Sequence, residues 1–213
     1  MARVAIFGGS FNPIHYGHLL LADEVREVLA LDRVLFVPAS FPPHKSPLHL
    51  APAHDRHAMV ALATAGNRAF AVSDIELRRP GPSYTVDTLA ALREASPDEL
   101  FLLVGSETFL DLLSWKEPAR IARLARLVVV PRAGSPFDPE SVQAQKVLRE
   151  IGQSRFVRPG ALLPPDGVLV VSAVSLPISA SDLRRRAREG RSLAYRMPDS
   201  VIAYMQAQRL YHA

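Results

Sequence analysis

Two imidazoles three residues apart, His15 and His18, stand just behind a pair of glycines. The stretch Gly8-Gly9-Ser10-Phe11-Asn12-Pro13-Ile14-His15-Tyr16-Gly17-His18 follows the apolar run Val4 to Phe7 and leads into the helical pattern Leu19-Leu20-Leu21-Ala22. Strand, glycine pair, polar turn and helix, in that order, make an anion cradle. Glycine lets backbone come close to a ligand, and a helix start offers N–H groups and a positive dipole end worth about 0.3–1 kcal/mol per charge. At the helix entry both rings can turn to one side and reach a single phosphate. Two rival readings stand beside this one. The histidines could be half of a metal site, which needs a third ligand and finds no HExxH or Cys partner, or they could be packed polar groups beside a tight turn. The stretch is neither GxGxxG nor the P-loop GxxxxGK[ST].

A second candidate lies far along the chain, at Ile178-Ser179-Ala180-Ser181-Asp182-Leu183-Arg184, behind another apolar run and at the start of another helical pattern. Taken alone it reads as a capped helix, with Ser at the cap and Asp182 in the first turn, worth about 1 kcal/mol. Arg184, Arg188 and Arg191 recur at helical spacing beside Arg185 and Arg186, which is more positive charge than a cap requires. For Arg185, Arg188 and Arg191 a solvated basic face accounts for the pattern equally well.

Both candidates need elements to hold them. Apolar runs of strand length recur at Val4 to Phe7, Val34 to Val37, Phe70 to Val72, Leu100 to Val104, Leu127 to Val130 and Val168 to Val171. Helical patterns fill the gaps at Gly17 to Leu29, Ala53 to Ala65, Thr85 to Ala95, Glu117 to Leu124, Pro139 to Glu150, Ser181 to Glu189 and Pro198 to Gln208. Continuous runs mark strands buried on both faces, and alternation with helices marks a parallel sheet. The expected fold is a single α/β domain over 1–213, a Rossmann-like doubly wound parallel sheet with helices on both faces. The helical segment from about 179 to 213 is expected to pack onto it. Ligands in such sheets bind beyond the carboxyl ends of the strands, where the loops after Phe7, Val37, Val104 and Val171 lie.

Composition narrows the function classes. With 213 residues, 48% hydrophobic and 22% charged, the chain is an ordinary globular sequence and not a disordered one. It has no cysteine, which removes thiolate catalysis, disulfides and Cys-ligated metals. No apolar run approaches the ~20 residues of a membrane span, and Met1 to Gly9 lacks a signal-peptide charge block, so a soluble, cytoplasmic protein with no membrane partner is expected. The net charge is +4 and 22 of the 25 basic residues are arginine. With a pI near 9.8 this suits anionic ligands, although an arginine bias also follows from genome composition or heat tolerance. Aromatics make up only 7% of the chain, largely within apolar runs, so nucleic acid is not the expected partner.

The first stretch resembles the (S/T)-F-(D/N)-P-x-H-x-G-H signature of the nucleotidyltransferase superfamily, and the second resembles that superfamily's I-S-x-(S/T)-x-(I/L/V)-R element. The resemblance implies that Gly8, Gly9, Ser10, Phe11, Gly17, Gly105 and Glu107 line an ATP site, together with Ser179 and Ser181. His15 and His18 would bind its phosphates and stabilise the transition state at the α-phosphorus. Ser179, Ser181 and Arg184 would hold the departing pyrophosphate. Asn12 stands where an Asp is often found, and Glu107, after Gly105, stands where the family has a ribose-binding Asp.

Between these motifs the chain is most similar to bacterial nicotinate-nucleotide adenylyltransferases. The resemblance rests on Val37-Pro38 with Pro42-Pro43-His44-Lys45, on Pro82-Ser83-Tyr84-Thr85, on Val104-Gly105-Ser106-Glu107, on Trp115 with Val130-Pro131-Arg132, and on Met197-Pro198-x-x-Val201-x-x-Tyr204-Met205. It implies a nicotinate mononucleotide site formed by Asn12, Lys45, Ser83, Tyr84, Thr85, Trp115 and Arg132. The sole tryptophan, Trp115, offers a ring face to a planar pyridine, and the start of the helix at Thr85 offers N–H groups to its carboxylate. Trp115 also reads as a core aromatic, and Ser83 or Thr85 as a helix cap. The implied reaction joins ATP and nicotinate mononucleotide into deamido-NAD and pyrophosphate. Mg²⁺ arrives with ATP and no protein side chain is expected to bind it. Phosphopantetheine or nicotinamide mononucleotide as the acceptor, and a non-catalytic nucleotide- or RNA-binding module on the same fold, stay open here. A homo-oligomer is compatible with all of them.

Overall fold

Each continuous apolar run becomes a strand whose side chains alternate between two helical layers. The computed structural model describes residues 1–43, 50–131, 137–160, 166–174 and 176–211. Among them seven strands form one sheet: β1 (Arg3–Gly9), β2 (Arg33–Pro38), β3 (Phe70–Val72), β4 (Glu99–Gly105), β5 (Arg126–Val130), β6 (Phe156–Val157) and β7 (Val168–Val170). Their order is β3-β2-β1-β4-β5-β7-β6, every pair is parallel, and Ala5 stands opposite Val34 on one side and Phe101 on the other. The described helices are α1 (Tyr16–Val28), α2 (Ala53–Thr64), α3 (Thr85–Ala95), α4 (Ser106–Leu110), α5 (Pro118–Leu124), α6 (Val142–Glu150), α7 (Ala180–Arg188) and α8 (Asp199–Ala207). None is long and apolar enough to cross a membrane.

Ala5, Phe36, Phe101, Val128 and Leu169 face one layer, where they meet Ala22 and Val25 of α1, Met59 of α2, Leu183 of α7 and Val201 and Met205 of α8. Val4, Ile6, Leu102, Val104 and Val129 face the other, against Leu89 of α3, Phe109 of α4, Ile121 of α5 and Val147 of α6. Burying each such large side chain contributes roughly 1.5–3 kcal/mol. The doubly wound sheet therefore matches the expectation from the sequence. From β1 the chain winds outward through β2 to β3, then returns to place β4 on the other side of β1. The crevice at this reversal lies beyond Gly9 and Gly105, where the chain leaves two adjacent parallel strands.

Three details depart from the sequence expectations. β6 has only two residues, too few to show a period. A short helix and a 3-10 turn, α4 and Leu112–Ser114, occupy a stretch read as a loop. The helix expected from Pro139 starts at Val142, because the Ser141 hydroxyl accepts the Ala144 N–H and sets the cap there.

One buried cation ties the loops at the crevice together. Arg56, in the first turn of α2, is 1% exposed. Its Nε donates to Ala51 O at 2.9 Å, its Nη1 to Ser10 O at 2.9 Å and Ala39 O at 2.6 Å, and its Nη2 to Ser40 O at 3.1 Å. The loops after β1 and β2 and the chain entering α2 thus share one donor. Burial pushes the guanidinium below the ordinary arginine pKa, with Tyr211 and Glu76 acting the other way. Replacing Arg56 by Met strips these carbonyls of their donor and is expected to lower stability by roughly 2–4 kcal/mol in urea unfolding. A loss under about 0.5 kcal/mol would mean that water satisfies the carbonyls in its place.

Candidate active site

The loop leaving β1 is shaped by packing as much as by any ligand. Phe11 has φ 41°, a left-handed backbone uncommon for an aromatic residue. Its ring is held 5.5 Å from Phe7 and 5.8 Å from Phe36, centroid to centroid. A Cβ on Gly9 would lie 3.1 Å from this ring, whereas one on Gly8 would meet nothing within 4 Å. Gly9 therefore makes room for Phe11, and Gly8 is the exposed glycine of the pair, at the crevice. Phe11 is 2% exposed, and its ring is a buttress under His18, with centroids 5.2 Å apart.

His15 caps α1 and is 6% exposed, and His18 follows in the first turn, with the two rings stacked at 3.7 Å. The His15 backbone N–H donates to His18 Nδ1 at 3.3 Å. That bond makes Nδ1 the acceptor, so a neutral His18 ring carries its proton on Nε2 and offers it as a donor. Glycine at Gly17 leaves room for this ring, because a Cβ would lie 3.0 Å from His15 Nδ1. The helix start presents fewer open donors than four. Tyr16 N–H goes to Arg196 O at 3.0 Å and His18 N–H to His15 O at 2.9 Å.

The two distant motifs meet. Arg184 Nη1 donates to Asn12 O at 2.8 Å, across 172 positions of sequence. Arg184 reaches this point from α7, whose Leu183 and Ala187 are buried in the same layer as α1. The chain before α7 is drawn to α1 as well, with Val174 N–H donating to Glu24 Oε2 at 2.7 Å. Ser179 is the exposed N-cap of α7; its hydroxyl accepts Asp182 N–H at 3.2 Å and lies 3.2 Å from that of Ser181, also exposed. Arg185 pairs with Asp182 and Glu189, and Arg191 with Glu189, so these two belong to a solvated face and Arg184 to the crevice.

Asn12 is 5% exposed, and its Oδ1 accepts Ala51 N–H at 3.0 Å and the Tyr211 hydroxyl at 2.6 Å. This oxygen holds the loop. Gly105 closes β4 and Glu107 is exposed in the first turn of α4, where a carboxylate suits the helix dipole. A Cβ on Gly105 would meet only Thr108 Oγ1, at 3.8 Å, so protein packing does not demand glycine there.

On the opposite layer, Tyr84 and Trp115 pack against one core cluster, both half-buried. Neither Ser83 nor Thr85 caps α3 through its side chain; Tyr84 stands at the cap. The Ser83 hydroxyl instead accepts Phe41 N–H at 3.0 Å while Ser83 N–H donates to Phe41 O at 2.9 Å, which ties the start of α3 to the loop after β2. Asp87 and Thr88 N–H groups turn back to Tyr84 O and Val86 is fully buried, so among the described residues Thr85 presents the open N–H of that turn. Lys45 and Arg132 lie outside the described residues.

Sequence reasoning misses Arg56, Tyr211 and Lys116. Arg56 carries one signal, since it shares the inward phase of α2 with Met59 and Val60. Lys116 Nζ pairs with Asp87 at 3.1 Å and sits 4.8 Å from the Tyr84 ring centroid. Tyr211 follows the last helix and shows no period. Among the described residues no group of three or more His, Cys, Asp or Glu is placed to hold a metal ion. The donors gathered at the β1 loop are imidazoles and a guanidinium, which suit an anion.

The family model described as cytidylyltransferase-like matches residues 6–186. A protein of Roseiflexus sp. (strain RS-1) called "probable nicotinate-nucleotide adenylyltransferase" is 43% identical over 211 residues, covering 99% of this chain and 98% of its own. One of the same name from Thermus thermophilus is 44% identical over 210 residues, covering 98% of this chain and 99% of its own. In fold, the chain matches the Plasmodium falciparum nicotinic acid mononucleotide adenylyltransferase complexed with NaAD, with a TM-score of 0.76 at 19% identity over 99% of this chain and 98% of that one. Full-length identity above two-fifths, on a fold that brings the two distant motifs to one loop, places the chain in the nicotinate-nucleotide adenylyltransferase family of cytidylyltransferase-like proteins.

Proposed function

We propose that the protein transfers the adenylyl group of ATP to nicotinate mononucleotide, giving deamido-NAD and pyrophosphate. The observation that carries this reading is the 2.8 Å bond from Arg184 to the Asn12 carbonyl, which joins the two phosphate-binding motifs into one site. A phosphate oxygen of the mononucleotide attacks the α-phosphorus, a P–O bond forms, and the bond to the β-phosphate breaks with its electron pair leaving on pyrophosphate. The nucleophile is already an anion, so no general base is needed. The work left to the chain is alignment and neutralisation of developing charge.

His15 and His18 take the α- and β-phosphate side, with His18 Nε2 as donor. Arg184 and the Ser179–Ser181 turn take the departing pyrophosphate. Glu107 takes the ribose. Trp115 and Tyr84 flank the pyridine, and the N–H group of Thr85 meets its carboxylate. Mg²⁺ would arrive with the nucleotide substrate and would neutralise part of its phosphate charge, while the imidazoles and guanidinium of the chain serve the anion itself. Both substrates are free nucleotides, and the cytoplasm is the compartment we assign to the reaction.

The reading is tested by pyrophosphate release from MgATP with nicotinate mononucleotide, nicotinamide mononucleotide or phosphopantetheine as acceptor. Turnover is expected with the first; preference for either of the others would overturn the assignment, and no turnover with any would favour a binding module. His18→Ala is expected to lower kcat about 10²–10³-fold, the loss that follows removal of one transition-state donor, with an unchanged melting curve. An unimpaired rate would take His18 out of the mechanism. Trp115→Ala is expected to raise KM for nicotinate mononucleotide roughly 5- to 100-fold, the range of one lost aromatic stack, and KM for ATP less than about twofold. Equal effects on the two substrates would make Trp115 structural only.

A further inference from the structure

The segment after α8 reaches back into the phosphate loop. Gln208, Arg209 and Leu210 N–H groups close onto Tyr204 O, Gln206 O and Met205 O, and Leu210 is 9% exposed in the core layer shared by α1 and α7. Arg209 and Tyr211 both take left-handed backbone, with φ 52° and 63°. A bulky residue holds that conformation only where its surroundings over-determine it. For Tyr211 the surroundings are plain. Its ring packs on the core layer, and its hydroxyl donates to Asn12 Oδ1 at 2.6 Å, 199 positions away in sequence.

The direction of that bond is forced. Asn12 Oδ1 also receives the Ala51 N–H at 3.0 Å, so the atom facing both partners is the acceptor and Tyr211 is the donor. Arg184 and Arg56 lie close enough to Tyr211 to favour its ionised form, and Asp55 opposes them. Burial outweighs both and pushes the phenol well above its ordinary pKa, so the hydroxyl keeps its proton at any working pH. Asn12 is thus clamped on its side chain by Tyr211 and Ala51, and on its carbonyl by Arg184 Nη1 at 2.8 Å.

We infer that Tyr211 is a positioning residue for the triphosphate: by pinning the Asn12 side chain, its hydroxyl orients the Asn12 carbonyl that in turn aims Arg184. The inference deepens the adenylyltransferase reading and rests on its ATP site, but not on the identity of the acceptor. Tyr211→Phe keeps the ring and removes only the donor. Arg184→Lys keeps the charge and loses the forked geometry.

The test is calorimetric binding of MgATP and, separately, of nicotinate mononucleotide to the wild type, to each single variant and to the double variant. Neither titration needs turnover, so an error in the acceptor leaves the ATP arm intact. Tyr211→Phe is expected to weaken ATP about tenfold and the mononucleotide less than twofold, with the same factors at pH 6.5 and 8.5. In the Arg184→Lys background the Tyr211→Phe change is expected to add less than twofold, because the pin then has nothing left to aim. Four results would overturn the inference. These are wild-type ATP affinity in Tyr211→Phe, equal weakening of both ligands, a full tenfold further loss in the Arg184→Lys background, and a wild-type protein that binds no ATP, which would remove the adenylyltransferase reading with it.

Discussion

Carbonyl oxygens in a loop packed away from water must find donors, and the loop leaving β1 has few of its own. Its turn is neither helix nor strand, so Ser10 O and Asn12 O lack the ladder partners that the sheet supplies up to Gly9. Two arginines from other parts of the chain meet this need, Arg56 at Ser10 O and Arg184 at Asn12 O. Guanidinium is suited to the task because one planar group can serve several acceptors, as Arg56 does for the carbonyls of Ser10, Ala39, Ser40 and Ala51. The shape of the loop after β1 is therefore set by side chains outside it. Any group aimed from that loop inherits its position from them.

Two glycines of the motif leave room for its own side chains. Gly9 admits the Phe11 ring and Gly17 admits the His15 ring, each at about the closest approach a Cβ would forbid. With Phe11 beneath His18 and His15 stacked on it, the His18 ring is confined on two sides and tethered at Nδ1 by a backbone N–H. A donor confined this way loses little freedom when charge develops beside it, which is how a fixed dipole stabilises a transition state better than water does. The short motif thus encodes both the donor and the packing that holds the donor still.

The sheet is legible in the sequence because its strands are buried on both faces and read as continuous runs, as at Leu100 to Val104. The edge strand Phe156–Val157 is not, since two residues carry no period. His15, His18 and Arg184 are legible because local spacing places them at helix starts. The burial of Phe11 and Asn12 is not legible from the same motif: residue type alone does not say whether a side chain turns outward or into the core. Arg56 is hidden because a lone arginine on a helix ordinarily points to solvent, and only its phase with Met59 and Val60 betrays it. Tyr211 has no local signal at all, because its partner is 199 positions away.

Such remote contacts are less demanding than their sequence separation suggests. Closing a loop grows in entropic cost only as the logarithm of its length, about 0.6 kcal/mol per doubling, so reaching 172 residues costs little more than reaching half that. What matters is the freedom left once neighbouring elements have docked. Leu183, Val201 and Met205 seat α7 and α8 on the same layer as α1 by apolar burial, and the Tyr204 hydroxyl of α8 also donates to Asp55 Oδ1 at 2.8 Å. From that platform Arg184 sits one position past a buried residue, and Tyr211 lies only a few residues past the end of α8. Each polar contact then closes over a short, already oriented tether. The apolar face of the last two helices accordingly helps to shape the loop after β1, although none of its side chains belongs to that loop.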